Sequence, residues 1–292
     1  MRRLRLLSEL SRRGTIAEVA RLVGYTPSAV SQSLAQLELE VGVPLLERDG
    51  RRVRLTPAAR SLVARTDRVL SELDAAEAEL AAEEGTVRGS VVIGAFPSAA
   101  AGLVVPAVAT LSELHADLIC TIREHEPEDG IPLLRSGELD LLVSESYDDV
   151  TSAPVGGLES RPLLSEPLLL VLALDHPARE PVPLGSLSNE PWIGGLAGTQ
   201  FGAMLERVCR SAGFSPRIVH RADDAVLHQA LAAAGLGVGL LPSMACGDSG
   251  QVRFARIAPP APLRHLSALL RRGSARRPAL AATLEALRAG VG

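Results

Sequence analysis

At 292 residues the chain has room for about two domains that each bury a core, and its composition (47% hydrophobic, 22% charged, 2% aromatic) is that of a globular protein. No run reaches the roughly 18 uninterrupted apolar residues that span a bilayer, and the start MRRLRLLSELSRRG lacks the apolar core and cleavage site of a secretory signal. Net charge is −4 but uneven: residues 1–60 hold 11 arginines against 6 acids, or +5, and the remainder 19 against 28, or −9. A positive head on a negative body suits one polyanionic partner and another that is not. All 30 basic residues are arginine. Three scattered cysteines, Cys120, Cys209 and Cys246, have no metal-ligand spacing and read as reduced thiols in a cytoplasmic setting, a redox sensor being the alternative.

The first predicted helix runs from Arg2 to Arg12, with Leu4, Leu7 and Leu10 on one face and Gly14 ending it. Thr15 followed by Glu18 has capping-box spacing, so a second helix starts there, turns Ile16, Val19, Ala20 and Val23 inward and stops at Gly24. Thr26-Pro27 places a capping hydroxyl before a first-turn proline and starts a third helix whose stripe is Val30, Leu34, Leu37 and Val41. Two short helices around a tight turn make a helix-turn-helix, the second being the candidate reader of a DNA major groove. Thr26, Pro27, Ser28, Ser31, Gln32 and Ala35 lie away from its stripe, small enough to let the helix approach bases and phosphates. An ordinary solvated face is the competing interpretation.

After Pro44, Asp49-Gly50 lies between two strand-like runs as hairpin turn chemistry, and Arg48, Arg51, Arg52 and Arg54 cluster around it. Such a basic hairpin behind a reading helix forms the wing of a winged helix, its guanidinium groups taking phosphates or entering the minor groove. Thr56-Pro57 then launches a helix to about Glu84, with Leu62, Thr66, Val69, Leu73, Ala76 and Leu80 at four-three-four-three-four spacing. At about 1.5 Å per residue it is roughly 40 Å long. Flanked by acids, this seam has little to bury against except a copy of itself, so the expectation is a dimerising linker.

The order of parts resembles the LysR-type transcriptional regulators. The resemblance rests on TIAEVARLVGYTPSAVSQSLAQLELEVGVPLLERDGRRVRLTPAAR, then on GSVVIGAFPS, LRSGELDLLV, LLSEPLLLVLALDHP, EPWI and AGLGVGLLP, essentially the whole chain. Family heads often carry Ser-Gln-Pro where this chain has Thr26-Pro27-Ser28, and a basic residue where it has Gln32, so base preference does not transfer. The resemblance implies a multidomain chain: an all-α winged helix-turn-helix head over 1–58, a long linker helix over 59–86, and an α/β two-lobed, periplasmic-binding-protein-like effector domain over 87–292. Lobe I is expected at about 87–157 and 266–292, and lobe II at about 158–265.

In the body, a strand over Ser90–Phe96 breaks at Pro97, where Ser98 is placed to cap a helix to about Leu114. A strand (Leu118–Glu124), a helix (Glu126–Ser136, stopped by Gly137) and a strand (Leu139–Ser144) follow, the alternation of a parallel α/β sheet. In such sheets ligands sit beyond the carboxyl ends of strands, against helix N-termini; Ser98 with the N–H of Ala99 forms one such end and Ser144 another. The second lobe offers an apolar strand over Leu168–Leu174 and a glycine-rich loop before a helix starting near Thr199 and Gln200. It also offers a helix begun by Asp223 and Asp224. Gly235 to Gly239 follows a helix and precedes a strand, the reverse of dinucleotide order, and is a helix-to-strand turn. The chain ends with an alternating segment, Leu263–Leu270, and a helix from about Pro278 to Ala289.

By the resemblance, an unidentified small-molecule effector lies between the lobes near Ser98, Ala99, Ser144, Thr199, Gln200 and Asp223, with no arginine among them. The partners expected are double-stranded promoter DNA, that effector, and a second copy of the chain in a coiled-coil dimer or a tetramer; no membrane and no cofactor is implied. The alternative is a cytoplasmic small-molecule binding protein with a degenerate head. Six scattered histidines without a nucleophile elbow, metal-ligand set or phosphate loop argue against an enzyme.

Overall fold

The computed structural model of the protein describes residues 2–49, 52–63, 65–66, 69, 87–147, 156–247 and 250–290. The head packs α1 (Arg2–Arg13), α2 (Ile16–Val23) and α3 (Pro27–Val41) around Leu7, Leu10, Val19, Val30, Leu34 and Leu37. Thr15 caps α2: its hydroxyl accepts from the Glu18 N–H at 3.3 Å and donates to the Glu18 carboxylate at 3.1 Å. Thr26 caps α3 by accepting from the Ala29 N–H at 3.2 Å. Between them Gly24 takes φ 68°, a left-handed turn where a Cβ would be strained. The predicted stripe stops one residue early: Val41 is 41% exposed, because α3 ends there beneath the Gly42 cap.

Strands β1 (Leu46–Asp49) and β2 (Arg52–Leu55) form the wing, with Leu46 opposite Leu55 and Asp49 opposite Arg52. Asp49 is thus the last strand residue rather than the first of the turn. The carboxylate of Glu38, on α3, accepts from the N–H groups of Leu45 and Leu46 at 2.7 and 2.9 Å, bolting the wing to the helix before it. Residues 57–63 are helical behind a Thr56 cap, which accepts from the Ala59 N–H. Leu62 and Val63 pack on the head core; the seam residues Leu73, Ala76 and Leu80 lie outside the described residues.

The body is a mixed sheet whose strands lie in the order 118–124, 89–95, 141–147, 263–271, 158–173, 238–242, 191–194 and 217–221, with 252–256 paired to 158–173. One lobe contains β3 (Gly89–Ala95), α4 (Pro97–Leu114, with a π-helical turn over Ala100–Val104), β4 (Leu118–Glu124), α5 (Pro127–Ser136) and β5 (Leu141–Tyr147). By composition α4 is apolar enough to cross a bilayer, but Ala99, Leu103, Val104, Ala107 and Leu111 are buried in the lobe core. The second lobe contains β7 (Pro191–Gly194), α6 (Gln200–Ser211), β8 (Arg217–Arg221), α7 (Ala225–Ala233), β9 (Val238–Pro242) and β10 (Val252–Arg256), around Trp192, Met204, Leu205 and Leu240. As expected of the Gly235 segment, it turns from α7 into β9.

β3 pairs in parallel with β4 and β5, but the sheet is not parallel throughout. The returning β11 (Leu263–Arg271) runs antiparallel to β5 and to β6 (Leu158–Ala173). β6 is twice the length of the predicted 168–174 strand because residues 158–167 pair with β11 while 168–173 pair with β9 and β10. After β11, α8 (Pro278–Ala289) returns to the first lobe, burying Leu280, Leu284 and Leu287 against its core.

Candidate functional site

The face of α3 opposite its stripe is free of the core. Thr26, Pro27, Ser28, Ser31, Gln32 and Ala35 are all exposed, while Val30, Leu34 and Leu37 are buried. Arg48 and Arg52 occupy the facing wing strands, with Arg54 exposed opposite Glu47; Arg51 lies outside the described residues. Arg2, at the start of α1, stacks its guanidinium 4.7 Å from the ring centre of Tyr25, the residue before the Thr26 cap.

Between the lobes lies a cavity of about 630 Å³ whose wall includes Ser98, Thr199, Gln200 and Asp223. Ala99 and Ser144 are not on that wall. Ala99 points into the lobe core, and β5 continues past residue 144, so strand alternation turns Glu145 to the cavity instead. Ser98 is not a cap either: Phe96 is the N-cap of α4, Pro97 holds its first position, and the Ser98 hydroxyl accepts from Arg264 at 3.0 Å. Thr199 caps α6 by accepting from the Gly202 N–H at 2.8 Å. The helix start near 223 belongs to Asp224, which accepts from the Leu227 N–H; Asp223 reaches back to accept from the Leu196 N–H, both at 2.7 Å.

An arginine does stand on the wall. Arg264, with its side chain 3% exposed, donates from Nε and Nη2 to Glu166 and from Nη1 to Glu145 at 3.2 Å, and lies over the Phe96 ring. The second Glu166 oxygen accepts from the Ser243 hydroxyl at 2.8 Å and the Met244 N–H at 2.6 Å. Burial raises the Glu145 carboxyl above its ordinary value, with the Arg264 charge pulling the other way. The signal for this triad is strand parity: Arg264 shares the inward face of β11 with Leu266, Ala268 and Leu270, as Glu166 does with Leu168 and Leu170 on β6. A charge on an inward face needs a partner.

Glu126, the N-cap of α5, is pushed up to about 7, first by burial and then by the carboxylates of Glu145, Asp223, Glu128 and Glu124. Met244 crosses from the second lobe onto the π turn of α4, where a Cβ on Gly102 would lie 2.1 Å from its Cγ. Among the described residues no group of three or more His, Cys, Asp or Glu is arranged to hold a metal ion.

Residues 1–60 match the family described as bacterial regulatory helix-turn-helix protein, lysR family, and residues 84–292 match the LysR substrate binding domain. The chain belongs to the LysR family. It is a DNA-binding transcriptional regulator of LysR type with an effector-binding domain. LysR relatives include the transcriptional dual regulator GltC of Bacillus subtilis, 28% identical over 83% of this chain and 80% of that one. Another is a probable hydrogen peroxide-inducible genes activator of Streptomyces viridosporus, 30% identical over 89% and 84%. The fold matches a full-length OxyR variant from Pseudomonas aeruginosa (TM-score 0.73, 22% identity, 98% of this chain and 93% of that one). It also matches full-length CbnR in complex with its target DNA (TM-score 0.60, 20% identity, 100% and 99%).

Proposed function

We propose that α3 reads promoter DNA through Thr26, Pro27, Ser28, Ser31, Gln32 and Ala35, and that Arg48, Arg51, Arg52 and Arg54 of the wing hold the phosphates. A small molecule in the interlobe cavity sets the response, as a ligand that binds one lobe arrangement better shifts the population toward it. In this reading two chains pair along the helix over 59–86, pairs associate further into a tetramer, the protein acts in the cytoplasm, and it catalyses no reaction. The observation that carries the DNA assignment is the division of α3, behind its Thr26 cap, into a buried stripe and an exposed row of uncharged residues. Intact caps and a closed head core speak against a degenerate head.

The peroxide response named for some relatives finds little support in this chain's thiols. Burial pushes Cys209 and Cys246 up to about 12 and raises Cys120 as well, so all three are held protonated, whereas a reactive sensor thiol is a thiolate.

The test is DNA retardation with the wing double substitution Arg51→Ala and Arg52→Ala. Each phosphate contact contributes about 0.9 to the slope of log affinity against log salt, so the variant should bind all sequences more weakly and with a slope shallower by about two. Unchanged affinity across several salt concentrations would remove the wing from the DNA interface.

A further inference from the structure

We propose that the interlobe cavity is built for an organic cation, a protonated amine or guanidinium carried on an apolar body. The proposal rests on the reading of that cavity as the effector site and names the chemical class of its occupant. Among the described residues six carboxylates line it: Glu124, Glu126, Glu128 and Glu145 from one lobe, Asp223 and Asp224 from the other. Against them stands, among the same residues, one guanidinium, and Arg264 is engaged at all three of its nitrogens by Glu166, Glu145 and Ser98. Its charge is shared between two buried carboxylates, leaving none for an anionic guest.

The usual resources for an anion in such a fold are helix N-termini; that of α4 carries no side-chain cap, but the chain's own acids or hydroxyl stand at the other three on the cavity wall. Glu126 sits at the N-cap of α5 with Glu128 and Asp129 in its first turn. The Asp224 carboxylate takes the first turn of α7, and the Thr199 hydroxyl that of α6. An incoming carboxylate would meet the chain's own. A metal ion is disfavoured by geometry, since no three ligating side chains converge among the described residues. A volume of about 630 Å³ fits an organic molecule, and Phe96, Phe201, Leu241 and Met244 supply an apolar wall.

Glu126 and Asp223 come from opposite lobes and repel across the cleft, which contributes to the upward shift of Glu126. A cation between them replaces that repulsion with two attractions. Such a guest binds the closed arrangement better than the open one, which is what an effector needs to move the equilibrium.

Calorimetric titration of the full chain with shape-matched probes of opposite charge tests this: phenethylamine against hydrocinnamate, and putrescine against succinate. The amines should bind and the carboxylates should not, and Glu126→Gln and Asp223→Asn should each weaken the amine about tenfold, the scale of one charge-assisted hydrogen bond. Carboxylates that bind as well as the amines overturn the cation assignment; if Ala101→Trp, which fills the cavity, abolishes their binding, the interlobe effector reading still stands. Amine binding indifferent to both charge removals lies elsewhere and also overturns it. So does the failure of both amines to bind, while DNA retardation tests the head independently of every one of these outcomes.

Discussion

The DNA-reading head and the effector cavity organise their chemistry in opposite ways. On α3 the outward groups lie within ten residues, from Thr26 to Ala35, and one capped helix places them all. The cavity brings Ser98 and Arg264 into hydrogen bonding across 166 positions and Arg264 to Glu166 across 98. The head therefore keeps the side chains proposed to meet DNA in water above the buried Val30, Leu34 and Leu37, while the body buries an arginine and two carboxylates at the junction of its lobes. An exposed face tolerates exchange of side chains, because it has little desolvation to compensate. A buried triad does not, because removing one member leaves another's charge uncompensated away from water.

Three substitutions would break or sharpen that contrast. The largest effect is expected from Arg264→Met, which leaves Glu145 and Glu166 buried without their counter-charge. Losing one partner of such a pair costs about 3–5 kcal/mol, so the urea midpoint of the body should fall sharply while head-directed DNA retardation at low temperature persists. A loss below about 1 kcal/mol would mean that the triad is solvated in solution. Next comes Glu38→Ala, which strips the shared acceptor from the Leu45 and Leu46 N–H groups. A loss of about 1–3 kcal/mol in thermal unfolding of the head is expected, with weaker DNA binding because the wing is no longer bolted to α3. Retained stability with unchanged DNA affinity would show that the wing holds its place without that bolt.

The smallest effect is Glu126→Gln, and it shows only on one side of the pH range. Folding raises this carboxyl from 4.5 to about 7, so its protonated form is favoured in the native state. That contribution is complete below 4.5 and is lost as pH rises through about 7. The amide should therefore raise the melting temperature at pH ~8 and leave it unchanged in acid below the ordinary carboxylate range. The group is half-exposed, so solvent screening keeps the gain small. A gain confined to acid would refute the assignment of repulsion at this carboxyl.

Much of the head was legible because its determinants are local. Thr15 with Glu18, Thr26 with Pro27, and Gly24 announce caps within four residues of the backbone groups they satisfy. The bounds of α8 were equally plain from Pro278 and the run that follows. The cavity was half legible. Ser98, Thr199, Gln200 and Asp223 do lie on its wall, found from helix starts, but Ser98 is there as the partner of an arginine rather than as a cap. Ser144 missed because the strand runs to Tyr147, three residues beyond the predicted end, and one position along a strand is the opposite face. Arg264 is hard to see in the sequence because the 263–270 segment reads as apolar alternation, and only the parity it shares with Leu266 and Ala268 marks the charge as inward. The lobes' shared strand was hidden for a related reason: the residues before Leu168 are too polar to look like core, yet the sheet needs them as backbone, and backbone pairing leaves no mark on side-chain chemistry.

That shared strand has a mechanical consequence. β6 changes neighbours between Pro167 and Leu168 without breaking its extended run, so one ribbon is a member of both lobes. β11 travels beside it with a single slip in register between Leu266 and Ser267. Two bodies joined by a loop swing freely, but two bodies cut from one ribbon are related by its twist. Their angle is then an elastic variable with a resting value, and Glu166, one residue from the change of neighbours, ties that point to Arg264 and to the Met244 N–H. A guest in the cavity works against a torsion spring whose stiffest clamp is at the bend.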